Sequence, residues 1–301
     1  MLETKSESVK LLKKLSSKTD RTVKYIFLSR NQVLEVSYID KQDGKDIICV
    51  PTQTGCNLGC EFCHLTDQNL QLDVRNLETQ EIAATIEYVL DDLGLENKKD
   101  KTLLISFMGA GEPLLNIDNI FFTSQLVTAR YSSLYRVVRF AVASLIPNEK
   151  LMLKFILANK VLKLPIKFHL SLHSSDPLVR AKLMPAAAGI DESIQLIEEY
   201  SRETNNPVEV HYSLMDKVND FEDDVLRLVY LLGGKNISVK ILYHSEKEFS
   251  DLKKSGRVAL FRKLLEERGV ETEFYDPPGR DIGSSCGQFL MTYYKEHNQK
   301  R

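Results

Sequence analysis

No stretch of this chain approaches the roughly 18 consecutive apolar residues that a membrane-spanning helix needs, so its 43% of apolar residues is expected to build the core of a soluble protein. An apolar leader is missing as well. The N-terminal MLETKSESVKLLKKLSSKTD interleaves Leu with Lys and carries acidic residues, which fits neither a secretory nor a typical transit signal and leaves the cytoplasm as the expected compartment. There is no low-complexity tract, no repeat of identical motifs and no Pro/Gly/Ser-rich linker to mark a domain boundary. Charge of one sign is not in excess: 40 Lys and Arg face 42 Asp and Glu, a net charge of −2. Such a balance carries no global signature of nucleic-acid binding, so any RNA contact has to come from a local basic face. Lys5, Lys10, Lys13, Lys14, Lys18, Arg21 and Lys24 supply one, read here as a short basic helix whose bland alternative is a solvated helix face.

Cysteine is scarce and unevenly placed. Of the five, Cys49, Cys56, Cys60 and Cys63 crowd into CVPTQTGCNLGCEFCHLT and Cys286 stands far away in SSCGQF. An odd number in this layout is a poor disulfide framework and points to metal or redox chemistry.

With 301 residues the chain has room for one large α/β domain. Its pattern is an alternation of short apolar strands and amphipathic helices. Strands are expected at 46–52, 102–109, 136–144, 166–173, 208–215, 238–244 and 270–276, with helices between them, the last over 250–269. VKYIFLSRNQVLEVSYID reads as a β-hairpin turning at Arg30-Asn31. Buried parallel strands separated by helices favour a partial (β/α)6 barrel of the TIM type preceded by this small hairpin. The expected organisation is residues 1–45 as helix and hairpin extension, 46–291 as barrel core with a C-terminal cysteine loop, and 292–301 as a polar tail. In such barrels the chemistry gathers at the C-terminal strand ends, where the cysteine loop, MGAGEP and SLH all fall.

Cys56, Cys60 and Cys63 form C-x3-C-x2-C. A structural zinc site wants four closed ligands, and here the fourth would have to be Cys49, His64 or distant Cys286. Three thiolates on one loop suit a [4Fe–4S] cluster that keeps one iron open. With Phe62 before the last cysteine, the loop resembles the signature of the radical S-adenosylmethionine (SAM) enzymes, in which the open iron takes SAM. Gly109, Gly111, Glu112 and Pro113 resemble that superfamily's G-G-E-P element, which closes on SAM.

The stretches CVPTQTGCNLGCEFCHLT, MGAGEPLLN, LSLHSSDPLVRAKLMP, YSLMDKVND and GRDIGSSCGQF occur in the order found in the RlmN/Cfr family of RNA adenine C-methyltransferases, which this chain resembles from about residue 20 to 291. That family uses five cysteines, the number present here. The resemblance implies one [4Fe–4S] cluster on Cys56, Cys60 and Cys63, SAM held by Gly111, Glu112, Ser144, Ser171, Leu172 and His173, and an RNA substrate, rRNA or tRNA. It further implies that Cys286 carries a methyl group taken from one SAM, and that a second SAM yields the radical that activates this methyl group for attack on adenine C2 or C8. Cys49 then resolves the adduct through a transient disulfide with Cys286, and Glu35 matches the family's proton acceptor. An exposed strand carboxylate is the other reading of Glu35. A flavodoxin or ferredoxin is the implied electron donor.

Three features depart from the family. Only some twenty residues precede the hairpin, where family members have a compact helical domain that grips RNA. Lys240 in SVKILYHSE replaces an asparagine that contacts SAM, and FAVAS keeps only Ser144 of a Ser/Thr-rich strand end. These departures keep two other readings open: the same chemistry on another substrate, and a zinc-bearing RNA-binding protein without catalysis.

Overall fold

A computed structural model describes residues 8–66, 73–94, 98–247, 250–283, 288–291 and 293. They divide into two compact units: the described residues of 1–57, 67–142 and 278–301, and those of 58–66 and 143–277.

The first unit begins with strands β1 (Lys10–Ser16), β2 (Val23–Ser29), β3 (Gln32–Asp40) and β4 (Lys45–Cys49), each antiparallel to the next. Arg30 and Asn31, at φ 47° and 63°, make the two-residue turn that the hairpin requires. From β4 onward the order turns parallel, through β5 (Lys98–Phe107) to β6 (Tyr135–Ser144), whose last two residues belong to the second unit. Helices α1 (Thr79–Leu93) and α2 (Ile117–Tyr131) make the crossovers. The Glu78 and Glu81 capping box starts α1, and Tyr88 on its apolar face meets the stacked Tyr25 and Phe27 rings of β2 edge-on, at 6.3 and 5.3 Å.

The expected basic N-terminal helix is a strand instead. Lys10–Ser16 adds to the free edge of β2, with Leu15 opposite Lys24 and a register slip between Leu11 and Lys13. A lone helix with so few leucines would have little apolar surface to bury, whereas the β2 edge supplies a full set of backbone partners. Leu11 and Leu15 end half-buried, and Lys10, Lys13 and Lys14 face water.

The second unit continues the series with α3 (Glu149–Leu162), β7 (Ile166–Ser171), α4 (Pro177–Leu183), α5 (Ile190–Thr204), β8 (Val208–Leu214), α6 (Glu222–Leu232), β9 (Ser238–Tyr243), α7 (Val258–Glu266) and β10 (Thr272–Tyr275). Strands β7 to β10 are parallel neighbours. All seven residues of β8 are buried, as a parallel strand covered on both faces requires. Helix α7 is shorter than expected from its apolar spacing. Ahead of it the Ser255 hydroxyl donates to Asp220 at 2.5 Å and accepts from the Arg257 amide, which fixes 250–257 as a loop. The α/β class and the alternating βα series are as expected; of the 292–301 tail only Tyr293 is described.

Candidate active site

In the second unit, Cys60 and Cys63 lie on a loop whose backbone amides are tied down at three points. The Glu61 amide donates to Leu183 O at 2.9 Å, that of Cys63 to Cys60 O at 3.1 Å and that of Thr66 to Cys63 O at 3.1 Å. Cys60 is buried against Leu145, Leu183, Met184, Met215 and Leu252. The Lys247 ammonium draws the loop carbonyls together, donating to Glu61 O, to Cys63 O at 3.2 Å and to Thr66 O at 3.5 Å. Burial pushes the Cys63 thiol up, and the Lys247 charge acts against it. Cys56, in the first unit, is half-buried, and no disulfide joins it, Cys60 or Cys63 to another described residue. Of the other candidate ligands, His64 bonds through Nε2 to the Ser245 hydroxyl at 3.0 Å.

The glycine turn of the first unit is built against the chain that leads into this loop. Gly109 N donates to Val50 O, and Thr52 N and Gln53 N both donate to Ala110 O. A Cβ on Gly109 would meet the Val50 and Pro51 backbone at 2.6–2.7 Å, and one on Gly111, at φ +103°, would sit 2.6 Å from the Gln53 Cβ. Both positions therefore require glycine. Gln53 accepts from the Glu112 amide at 2.8 Å and donates to Asn76, so a residue that the sequence left unremarked couples the two motifs. Glu112 is buried, with Oε1 accepting from the Leu114 amide.

Also in the first unit, strand register assembles a polar row inside an apolar sheet. Lys24 stands opposite Ser37, Ser37 opposite Cys49, and Cys49 opposite Ser106. Residues directly opposite share a face, and Glu35 lies on that same face two residues before Ser37. Glu35 is 6% exposed, which removes its reading as an exposed carboxylate. Its Oε2 accepts from the Lys24 ammonium at 2.7 Å and its Oε1 from the Leu290 amide. Lys24 also donates to Gly283 O at 2.9 Å. Burial pushes the Cys49 thiol up to about 11; hydrogen bonds with Met108 and Ser106 and the Lys24 charge act against it, and the Glu35 charge adds to it. Cys49 is thus a protonated free thiol near neutral pH. Cys286 lies outside the described residues, and so does any bond between it and Cys49.

The remaining expected SAM contacts belong to the second unit. Ser144 ends β6 and accepts the Ile146 amide at 2.8 Å. Just past the end of β7, Leu172 N and His173 N both donate to His211 O, and His173 takes φ 53°. His173 Nδ1 accepts from the Ser213 amide at 3.0 Å, Asn219 holds its carbonyl at 2.6 Å, and its ring meets Phe62 edge-on at 4.7 Å. Burial, helped by the His211, Arg180 and His244 charges, lowers its pKa to about 3, so the imidazole is neutral with its proton on Nε2. Asp176 caps α4, which lets Arg180 reach back to the carbonyls of Leu172, Leu145 and Ala188. Ser171 is half-buried at the end of β7.

Lys240 has a different task. Its ammonium lies 2.7 Å from Glu209 and 3.1 Å from Glu273. His169, Glu209 and His211 have ligand atoms close enough together for a metal ion. However, the Lys240 and Lys167 ammoniums, at 2.7 and 2.6 Å, already neutralise Glu209, and a cation there would have to displace them.

Comparison with known proteins agrees with this geometry. The Radical SAM superfamily pattern matches residues 50–229. The chain is 31% identical to the probable dual-specificity RNA methyltransferase RlmN of Thermosipho melanesiensis, over 93% of this chain and 79% of that protein. It is 30% identical to the dual-specificity RNA methyltransferase RlmN of Paracoccus denitrificans, over 89% and 70%. Among solved structures, a radical SAM methyltransferase from Sphaerobacter thermophilus shares the fold at a TM-score of 0.79 and 24% identity, covering 93% of this chain and 81% of that one. Proteins of this superfamily hold a [4Fe–4S] cluster and SAM, and the residues present fit both. Cys60 and Cys63 sit against an apolar wall, Cys56 stands four residues before Cys60 in the chain, and the glycine turn at 109–111 leaves no room for a side chain. The zinc reading falls with that fit. The chain belongs to the radical SAM superfamily and, within it, to the family of the RlmN RNA methyltransferases.

Proposed function

We propose that this enzyme methylates an adenine ring carbon, C2 or C8, in rRNA or tRNA, consuming two SAM molecules and using Cys286 as the methyl carrier. The observation that supports it most is the polar row of the first unit. Cys49 and Glu35 share one face of an apolar sheet, and Gly283 and Leu290, which flank the segment bearing Cys286, are hydrogen-bonded to the same Lys24–Glu35 pair. The RlmN relatives are named as RNA methyltransferases, which is the support for RNA as substrate.

In this reading Cys56, Cys60 and Cys63 hold the cluster, and Gly111, Glu112, Ser144, Ser171, Leu172 and His173 receive SAM. Once bound, the cluster and SAM supply the methyl group and the one-electron chemistry that an electron-poor aromatic carbon demands. Electrons come from a donor protein of the flavodoxin or ferredoxin kind. The neutral His173 adds a hydrogen-bond donor at Nε2 without adding charge. Glu35, held by an ammonium and an amide, accepts the ring proton of the adduct. Once the adduct has lost that proton and its unpaired electron, Cys49, as a thiolate, bonds to the Cys286 sulfur; the electron pair of the breaking carbon–sulfur bond goes to the methylene carbon, which takes up a proton to complete the methyl group, and a disulfide is left for cellular reductants.

Mass spectrometry of nucleosides from rRNA and tRNA of cells with and without the gene tests this directly. One methyladenosine species is expected to disappear with the gene, and unchanged nucleosides would refute RNA as substrate. A Cys49→Ala protein is expected to keep its iron and its absorbance near 400 nm while accumulating RNA bound to Cys286. Free multiple turnover by that variant would overturn the role of Cys49.

A further inference from the structure

We infer that Lys24 is a positioning residue of the reaction: its ammonium holds the Glu35 carboxylate in the row that contains Cys49 and, through Gly283, ties the segment after β10 to the same point. The inference rests on the proposed roles of Glu35 and Cys49.

A lysine that is 0% exposed is unusual, and here it sits in VKYIFLS among apolar neighbours. Burying an ammonium is costly unless it is paired and its protons find acceptors. Lys24 meets that condition with two acceptors far apart in sequence, Glu35 Oε2 at 2.7 Å and Gly283 O at 2.9 Å. Stability alone would be served as well by a leucine here and another at position 35, because an apolar pair of similar volume is often at least as favourable. What the ionic arrangement provides is direction. Glu35 keeps one oxygen for Lys24 and the other for the Leu290 amide, so both described flanks of 284–287 converge on one ion pair.

The same segment is fastened at further points along β1 and the turn after it. Asp281 accepts from Ser17 Oγ and the Lys18 amide, both at 2.7 Å, and the Gly279 amide donates to Asp20 at 2.7 Å. The Lys13 ammonium lies 5.5 Å from the centre of the Phe289 ring. These outer ties are exposed or part-buried, and Lys24 is the inner one.

The test uses the full chain and two readouts that need no RNA. In Lys24→Met, exchange of the Leu290 amide hydrogen is expected to accelerate about tenfold or more, the scale of one lost charge-assisted hydrogen bond, while β5 keeps its protection. Peptide-mapped alkylation of Cys49 with iodoacetamide is expected to move to higher pH in the same variant, and to return part of the way in Lys24→Arg. An exchange rate and an alkylation profile both equal to those of the parent would overturn the inference. Should Lys24→Met fail to fold, Lys24→Arg decides, since its planar fork cannot occupy both contacts of a compact ammonium: parent-like values in both readouts again overturn it. Nucleoside analysis with Glu35→Gln tests the underlying reading separately. Full methylation by that variant removes the role of Glu35 and leaves the tether to be judged by exchange alone.

Discussion

At the scale of single residues, the side chains that hold the strand ends are polar groups aimed at backbone, and Arg180 is the clearest case. It is 3% exposed and donates to Leu172 O at 3.2 Å, to Leu145 O at 3.4 Å and to Ala188 O. Burial lowers its pKa to about 10, with Cys60 acting the other way, so it stays charged at neutral pH. Arg180→Met keeps the length and loses every donor, leaving carbonyls on three segments without this partner. A cost of roughly 3 kcal/mol is expected from urea midpoints, together with weaker SAM binding by equilibrium dialysis, because Leu172 and Ser144–Leu145 lose a common anchor. Arg180→Lys is expected to recover only part of either loss, since one ammonium cannot serve three directions. A midpoint for Arg180→Met equivalent to within about 0.5 kcal/mol of the parent would show that the anchor is dispensable.

At the scale of elements, much of the architecture was legible because each parallel strand is a short apolar run and each helix has one apolar face. The hairpin was legible in more detail than was used. A turn at Arg30-Asn31 places Lys24 opposite Ser37 and diagonal to Glu35, so the buried pair follows from register alone. By composition Lys24 falls in with the N-terminal basic residues, and only the register of the hairpin takes it out of that set. The helix expected over 250–269 is shorter because only Val258, Phe261 and Leu265 keep a helical spacing, while the Ser255–Asp220 contact that holds the chain before it comes from 35 residues away. The anchoring by Arg180, Asn219 and Lys247 was illegible for the same reason: polar side chains that meet distant backbone leave no periodic trace. Helix α1 offers a test at this scale. Burial raises the Glu81 carboxyl, but the paired bonds from Arg75, the Glu78 amide and the Ser29 hydroxyl outweigh it and bring the pKa down to about 2; Arg30 is the other cation nearby, and it pairs with Glu78. A carboxyl depressed on folding stabilises fully above its unfolded value of 4.5 and loses that contribution as pH falls toward 2. Glu81→Gln is therefore expected to cost about 1 kcal/mol at pH 7, on the scale of a lost cap, and to flatten the stability profile between pH 4.5 and 2. An acid limb as steep as the parent's would assign the sensitivity to other carboxyls.

At the scale of the whole molecule, a net charge of −2 gives RNA no long-range attraction. At physiological salt the screening length is about 8 Å, so the local cations matter more than the total. Of the N-terminal set, Lys14 lies 2.5 Å from Asp92 and Arg21 lies 3.4 Å from Asp40, and Lys24 is buried in the first unit. Lys10 and Lys18 are exposed on and just after β1, and the Lys18 amide donates to Asp281 in the segment that leads to Cys286. If RNA is the substrate, its phosphates are expected to lie along this edge. The Lys10→Gln/Lys18→Gln double variant should then bind an unmodified rRNA or tRNA transcript more weakly in low salt. The slope of log affinity against log salt should fall by about 0.7–0.9 for each phosphate contact removed. Cluster absorbance and SAM binding are expected to stay as in the parent, since neither lysine touches those residues. A parent-like salt slope would place the RNA on another face, and a loss of affinity that is equal at every salt concentration would mean that these lysines act through the fold of β1 and not through phosphate.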